Sequence, residues 1–408
     1  MTDIKRLVGC FDGTWNTDRS NTNVSRLYRK VADEATGSKD QRRFYDEGVG
    51  TKWGERVRGG ALGMGLDENI RRGYAWFASQ FWTDGGLDQD DYLRGPDLFL
   101  FGFSRGAFTA RSLAGMIGYL GLPKLAESGG AADKSLHETQ PITDAWRLYE
   151  ARPTEEERKA VAEGTGDAAL KQRVGAHDEQ VAAFRTAGRY RVRIHFVGVW
   201  DTVGALGIPK ILDYDWIPRP SNHYQFHNTQ LGPAVRYAYH AVAIDENREN
   251  YDVTLWTSMG PTNIEVEQRW FPGAHADVGG GYDDDLLPDP PLKWMADKAA
   301  DRGLEFVNDR RKVDPATGRC PDAIAEAPAA FDIDGHEYLS PVHDSYAEFL
   351  GGTYRALRSL PGAGGRFLRR MLVAQDGLCQ TVDETAYKKV DAQSAYRPVN
   401  LAQAGRVS

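Results

Sequence analysis

Cysteine is scarce in these 408 residues: three in all, Cys10, Cys320 and Cys379. Their odd number and wide spacing exclude a disulfide framework and zinc-ligand spacing, and suit a reducing compartment. Long apolar runs are missing too. None approaches a membrane-spanning length, and no H-E-x-x-H stretch is present. The start, Met1-Thr2-Asp3-Ile4-Lys5-Arg6-Leu7, lacks the apolar core of a signal peptide. A chain made as a soluble cytoplasmic protein is expected, its export open only to a machine that reads folded cargo. Positive charge is not in excess: the net charge is −8, which offers no nucleic-acid-binding surface. There is no internal repeat and no long low-complexity linker. What remains, 41% hydrophobic and 11% aromatic residues, is the composition of a folded protein with a substantial core.

The most informative stretch runs from Pro96 to Arg111. Its unbroken apolar start, Leu98-Phe99-Leu100-Phe101, is short enough for a strand buried on both faces of a parallel sheet. Gly102-Phe103-Ser104-Arg105-Gly106, a G-x-S-x-G, follows it. Ala110, Leu113, Ala114 and Ile117 then recur at helical spacing. Strand, tight turn with serine at its apex, then helix is the context of a nucleophile elbow. The glycines answer a steric need, since side chains there would clash where helix and strand cross. Glycine is frequent here, 44 residues, so the five-residue pattern alone says little and its context carries the reading.

Around that elbow, strands are predicted over 4–11, at 43–45, over 190–200, at 252–256 and over 264–271, the last two being the final strands. Helices are predicted after Asn23 with Thr22 or Asn23 as cap, over 70–81, 234–243, 294–304 and 346–357. The aromatic stripe Ile70, Tyr74, Phe77, Ala78 and Phe81 reads as a core face. Such alternation implies an α/β fold, a mostly parallel central sheet flanked by helices. Residues 1–408 read as one domain. Within it, 120–189 form a charged helical insertion, either a surface excursion or a cap, and 286–408 a helical and irregular C-terminal extension.

A serine hydroxyl attacks only when a base removes its proton, and that base needs an orienting carboxylate. In α/β hydrolases the three follow the order Ser, Asp or Glu, His along the chain. Here Ser104, Asp201 and His275 each follow a predicted strand in that order, with Gly273 and Gly279-Gly280-Gly281 around the histidine. Asp12, Asp277 and His343 are the alternates. His343, between Pro341 and a helix start at Asp344 or Ser345, can be explained as a cap. An oxyanion needs two backbone N–H groups: Arg105, after the serine, and an early strand–helix loop, best met by Gly13 or Thr14. Asp12-Gly13-Thr14 also resembles the D-x-D-G-T signature of haloacid-dehalogenase phosphatases. Cys10 stands where their nucleophilic aspartate would be, so that reading fails. No metal or cofactor is implied.

Four stretches together resemble one family. They are Phe11-Asp12-Gly13-Thr14-Trp15-Asn16, Gly102 to Ala107, Val199-Trp200-Asp201-Thr202-Val203-Gly204, and Trp270 to Tyr282. They look like the motifs of an α/β-hydrolase family once defined only as a domain of unknown function, to which bacterial type VI secretion phospholipase effectors belong. The likeness spans roughly residues 4–305. It implies an α/β-hydrolase fold, a Ser–Asp–His triad at Ser104, Asp201 and His275, and cleavage of phospholipid acyl esters. For an effector it also implies transient contact with a membrane surface, and a secretion-apparatus or immunity partner. On its length, no large membrane-docking appendage or fused delivery domain is expected. Two other functions remain open: an esterase or thioesterase of soluble substrates, and a catalytically idle hydrolase-like scaffold that binds a partner or lipid.

Overall fold

The apolar run near the start forms β1 (Arg6–Phe11), followed by α1 (Asn23–Lys30). The Thr22 hydroxyl caps α1, accepting from the Ser25 N–H at 3.1 Å. Next come β2 (Gln41–Asp46), α2 (Ala61–Gln80), β3 (Asp97–Phe103) and α3 (Arg105–Leu120). The short strands β4 (Leu122–Pro123) and β5 (Arg189–Tyr190) pair with each other and bracket α4 (Gln140–Glu150), α5 (Glu155–Ala162) and α6 (Ala168–Thr186). Then follow β6 (Ile194–Trp200), β7 (Val235–Ala243), β8 (Glu265–Phe271), α7 (His275–Gly279), α8 (Asp289–Ala300), β9 (Cys379–Val382) and α9 (Glu384–Ala392). This computed structural model describes residues 5–13, 16–17, 19–36, 38, 40–48, 61–81, 95–125, 136–186, 189–204, 230–248, 251–282, 286–307, 331, 333–344, 370, 378–398 and 400–401.

Seven strands pair in the order β2-β1-β3-β6-β7-β8-β9, every neighbour parallel. Parallel strands covered on both faces carry non-polar residues at every covered position, and β3 does so from Leu98 to Phe103, all buried. Leu98 and Leu100 turn to the face packed by α2 and α3, while Phe99, Phe101 and Phe103 turn to the face packed by α1 and α8. The chain leaves β1 toward β2 on one side and returns to β3 on the other. Consecutive connections therefore diverge at the β1/β3 boundary, opening a crevice at the carboxyl edge where ligands of such sheets bind. This is the α/β-hydrolase architecture expected, with a helical insertion before β6 and an extension after β8.

The helix expected over 234–243 is instead β7, the centre-right strand of the sheet. Its alanines suggested a helix, but Tyr237 and Tyr239 alternate with small residues, and the sheet buries all but Arg236. Burial on both faces outweighs alanine's helical preference. The strand expected at 252–256 is irregular backbone. In place of a strand ladder it has one isolated Val203–Val253 bridge, a Thr254 N–H bond to the Thr202 carbonyl at 2.9 Å and a Trp256 N–H bond to the Gln268 side chain at 2.8 Å. β8 is followed by a further strand, β9, so it is not the last. The helix expected over 346–357 lies outside the described residues.

The insertion packs through one face of α6, where Val174, His177, Val181 and Phe184 are buried at helical spacing. The His177 ring pairs with the Tyr119 hydroxyl at 3.0 Å. Tyr119 lies at the far end of α3, about 22 Å along the helix axis from Ser104. The described helices of the insertion thus buttress the foot of α3.

The glycines of the elbow can be tested directly. A Cβ on Gly106 would sit 2.1 Å from the Phe11 carbonyl oxygen, and one on Gly102 2.3 Å from the Gly106 carbonyl oxygen. Both clashes involve backbone, so α3 would have to move off β1. Gly106→Ala is expected to lose upwards of about 2 kcal/mol. An unchanged denaturant midpoint would show that helix and strand cross less closely than this.

Candidate active site

Ser104 sits between the end of β3 and the first residue of α3 with φ 58° and ψ −121°. Left-handed backbone is costly for a residue bearing a Cβ, on the order of 1–3 kcal/mol, and persists only where surrounding structure enforces it. Here Ser104 N–H donates to the Trp200 carbonyl at 3.0 Å, tying the elbow to β6. Asp201, at the end of β6, is the other non-glycine residue with positive φ among those described, at 38°. The two strained positions follow adjacent strands at the same carboxyl edge.

His275 opens α7, just past β8, and is buried. Its Nδ1 lies 2.5 Å from Asp201 Oδ2. The imidazole rests against Phe103, the residue before the serine, at 4.7 Å between ring centroids, and meets Tyr251 edge-on at 5.0 Å. Its backbone N–H donates to Glu246 Oε2 at 3.2 Å, and Glu246 is itself paired with Arg248 at 2.8 Å. The end of β3 and the loops after β6, β7 and β8 thus converge on one imidazole. Among the described residues, no hydrogen bond joins the Ser104 hydroxyl to His275, so that half of the expected relay is not closed in this conformation. Hydrogen bonds of this kind commonly tighten only once a ligand is bound.

Burial of Asp201 favours its neutral form, but the Arg370 charge beside it and the His275 hydrogen bond prevail, and its carboxyl lies well below the usual carboxylate range. An ionised Asp201 makes Nδ1 the protonated nitrogen of His275 and leaves Nε2 as the acceptor. Burial also lowers the His275 pKa, opposed by the Asp201 carboxylate; Arg248 lowers it further and Glu246 opposes. A base with a lowered pKa stays neutral further into acid. The acid limb of kcat/KM is therefore expected below about 6.5, the ordinary imidazole value. A limb above that value would mean that another group supplies the base.

The oxyanion candidates are placed unevenly. A Cβ on Gly13 would lie 3.3 Å from the Ser104 Cβ, so the loop after β1 does border the serine. The Gly13 N–H, however, donates to Asp12 Oδ1 at 2.7 Å and is already committed. Thr14 lies outside the described residues. The Arg105 N–H belongs to the first turn of α3, whose N–H groups have no partner within the helix.

The alternates have other partners. Asp12 accepts from the Thr22 hydroxyl at 2.6 Å and the Tyr45 hydroxyl at 2.6 Å, knitting the loop after β1 to α1 and β2. Burial pushes its carboxyl up to about 6, although those hydrogen bonds hold it down. Asp277 accepts from the Ala274 N–H at 2.8 Å, and its Oδ1 lies 2.6 Å from His343 Nδ1. His343 in turn stacks on Tyr282 at 3.8 Å. The rival histidine thus forms a second Asp–His pair beside the site; the helix it was expected to cap falls from Ser345 on outside the described residues. His343→Ala is expected to lower kcat less than tenfold, far short of losing the base. A loss of several thousandfold would transfer that role to His343.

Two residues of this cluster escaped sequence reading. Glu246 follows a segment misread as helix, so its place after a strand was hidden. Arg370 is buried against Asp201 at 2.5 Å, 169 positions further along the chain, and no local pattern marks it. Away from the cluster, a cavity of about 520 Å³ is lined by Phe108, Arg111, Tyr119, Trp146, Tyr149 and Trp256 among others, and by none of Ser104, Asp201 and His275. Volume alone does not mark the chemistry; convergent polar groups do. Among the described residues no group of histidine, cysteine and carboxylate side chains is arranged to hold a metal ion, and no helix is long and apolar enough to cross a membrane.

The sheet order and the placement of its loops define an α/β-hydrolase domain. Over residues 5–298 the sequence matches the family model described as T6SS, phospholipase effector Tle1-like, catalytic domain, and the chain belongs to that family. Among curated proteins it is 26% identical over 272 residues to the uncharacterized protein YEL023C of Saccharomyces cerevisiae, covering 62% of this chain and 33% of the yeast protein. Among solved structures it is similar to an uncharacterized protein from Pseudomonas aeruginosa, at 16% identity and TM-score 0.38, over 74% of this chain and 46% of that one. It is also similar to the Tle1 effector bound to the VgrG spike of the type 6 secretion system, at 18% identity and TM-score 0.33, over 71% and 53%. The chain thus spans a third of the yeast relative and about half of each solved chain.

Proposed function

We propose that this chain is a serine hydrolase that cleaves carboxylic esters of phospholipids through an acyl-enzyme. The observation that carries the reading is the 2.5 Å Asp201–His275 bond at the sheet edge that also holds the strained Ser104 elbow. His275 Nε2 takes the Ser104 proton as Oγ attacks the ester carbonyl. The tetrahedral oxyanion is received by the Arg105 N–H and a donor from the loop after β1. On collapse the C–O bond to the alcohol breaks, and His275 returns the proton to the departing oxygen. Water then repeats the sequence on the acyl-enzyme and releases the fatty acid. Asp201 holds the tautomer and stabilises the imidazolium throughout.

Family membership supports a phospholipid over a soluble ester, and with it contact with a membrane surface. It likewise supports a component of a type VI secretion apparatus, and an immunity protein, as partners. The test combines labelling by a fluorophosphonate with turnover on phosphatidylglycerol–phosphatidylethanolamine vesicles and on soluble short-chain esters. Ser104 labelling with preferential vesicle turnover is the expected result. Labelling with turnover of soluble esters only would replace the lipid reading with a soluble-substrate esterase or thioesterase. No labelling would leave an idle scaffold.

A further inference from the structure

Arg370 lies beyond residue 298, where the family match ends, yet it reaches the centre of the site. Its side chain is 1% exposed, and each terminal nitrogen has two acceptors. Nη1 donates to Asp201 Oδ1 at 2.5 Å and to the Ala243 carbonyl at 3.0 Å. Nη2 donates to Asp201 Oδ2 at 3.0 Å and to the Tyr251 carbonyl. Asp201 Oδ1 also accepts from the Ala243 N–H at 3.0 Å, while Oδ2 faces His275. Without the guanidinium, one backbone N–H and the imidazole would be left to orient the carboxylate. A planar fork on both oxygens fixes the carboxylate plane, which a point charge cannot do.

We propose that Arg370 is a positioning residue for the acid member of the site: its fork fixes the plane of the Asp201 carboxylate, and its charge moderates the support that carboxylate gives the imidazolium. This rests on the triad reading of Ser104, Asp201 and His275. Two consequences separate it from a merely structural anchor. Losing the fork lets the carboxylate turn, so the imidazole loses its orientation and proton transfer slows. Losing the charge strengthens the pull of Asp201 on a protonated His275, so the base titrates at higher pH. Among the described residues, the other charged or titratable groups facing the pair are Glu246, Arg248 and Tyr251, from the segment after β7, and His240 on β7.

The rate at which a fluorophosphonate labels Ser104, followed against pH, reads both consequences without requiring the natural substrate. Arg370→Met is expected to label roughly 10- to 100-fold more slowly at the plateau. Its acid limb should move up by about one unit. Arg370→Lys keeps the charge and loses the fork, so its limb stays near that of the wild type while its plateau recovers only part of the rate. In an Asp201→Asn background, Arg370→Met should bring no further loss. A wild-type plateau and limb in Arg370→Met, or the same loss with and without Asp201, would overturn the proposal. If Arg370→Met does not fold, Arg370→Lys decides: a wild-type labelling rate overturns the fork, a reduced one supports it. Failure of the underlying reading is distinguishable, since wild-type protein would then not be labelled at Ser104 at all.

Discussion

Ser104→Ala is expected to abolish ester hydrolysis, with a loss on the order of 10⁶ in kcat, and to leave the fold as stable as before. The first half follows from the acyl-enzyme, whose ester forms on the Ser104 oxygen. The second follows from the elbow: the Ser104 side chain makes no capping hydrogen bond to α3, so its removal leaves no helix donor orphaned. Alanine must adopt the same φ of 58°, and its Cβ carries the same strain. Glycine does not. Ser104→Gly should be equally inactive and more stable than the wild type by about 1 kcal/mol, because the strain is relieved. Chemical denaturation of the three proteins, with turnover measured in parallel, checks both halves. Wild-type turnover in Ser104→Ala would end the serine reading.

Asp201→Asn is expected to cost roughly 10⁴ in kcat, because an amide favours the wrong imidazole tautomer. It should also reduce stability, and that is less obvious. Asp201 is fully buried with both oxygens engaged by Arg370, so the substitution leaves a buried guanidinium without its counter-charge. Breaking a buried pair from one side costs about 3–5 kcal/mol. An amide NH₂ must also face either Arg370 or the His275 Nδ1 proton. The variant should therefore unfold at clearly lower denaturant than Ser104→Ala. Activity reduced less than tenfold would leave Asp201 a structural anchor only.

The elbow was legible because its constraints are local. An apolar run, two glycines and a helical stripe within 16 residues can mean little else, and β3 and α3 formed where that pattern lay. The Asp201 and His275 loops were legible for a similar reason, each following a β-branched and aromatic run cut off by turn residues. β7 was misread because its pattern is set by what covers it. A strand of alanines and tyrosines becomes distinguishable from a helix only once both faces are known to be packed. The Asp277–His343 pair spans 66 positions and the Asp201–Arg370 pair 169, with no periodicity linking either. β9 has only four residues at the sheet edge, too few for an alternation to register. The long loop after Asp201, proline- and aromatic-rich over 208–226, lies outside the described residues.

The late part of the chain is stitched to the strand ends that carry the site. Tyr396 donates to Asp245 Oδ2 at 2.8 Å, and the same oxygen accepts from the Gly273 N–H at 2.7 Å, two residues before His275. Asn400 donates to the Ile244 carbonyl at 2.9 Å, and β9 extends the sheet beyond β8. On a ribosome, Ser104, Asp201 and His275 emerge before any of these stitches exists. At about 5–20 residues per second, the roughly 100 residues between His275 and Arg370 take several seconds to add. A nascent chain paused in that interval already holds all three motif residues, but neither the guanidinium against Asp201 nor the tyrosine behind the histidine loop.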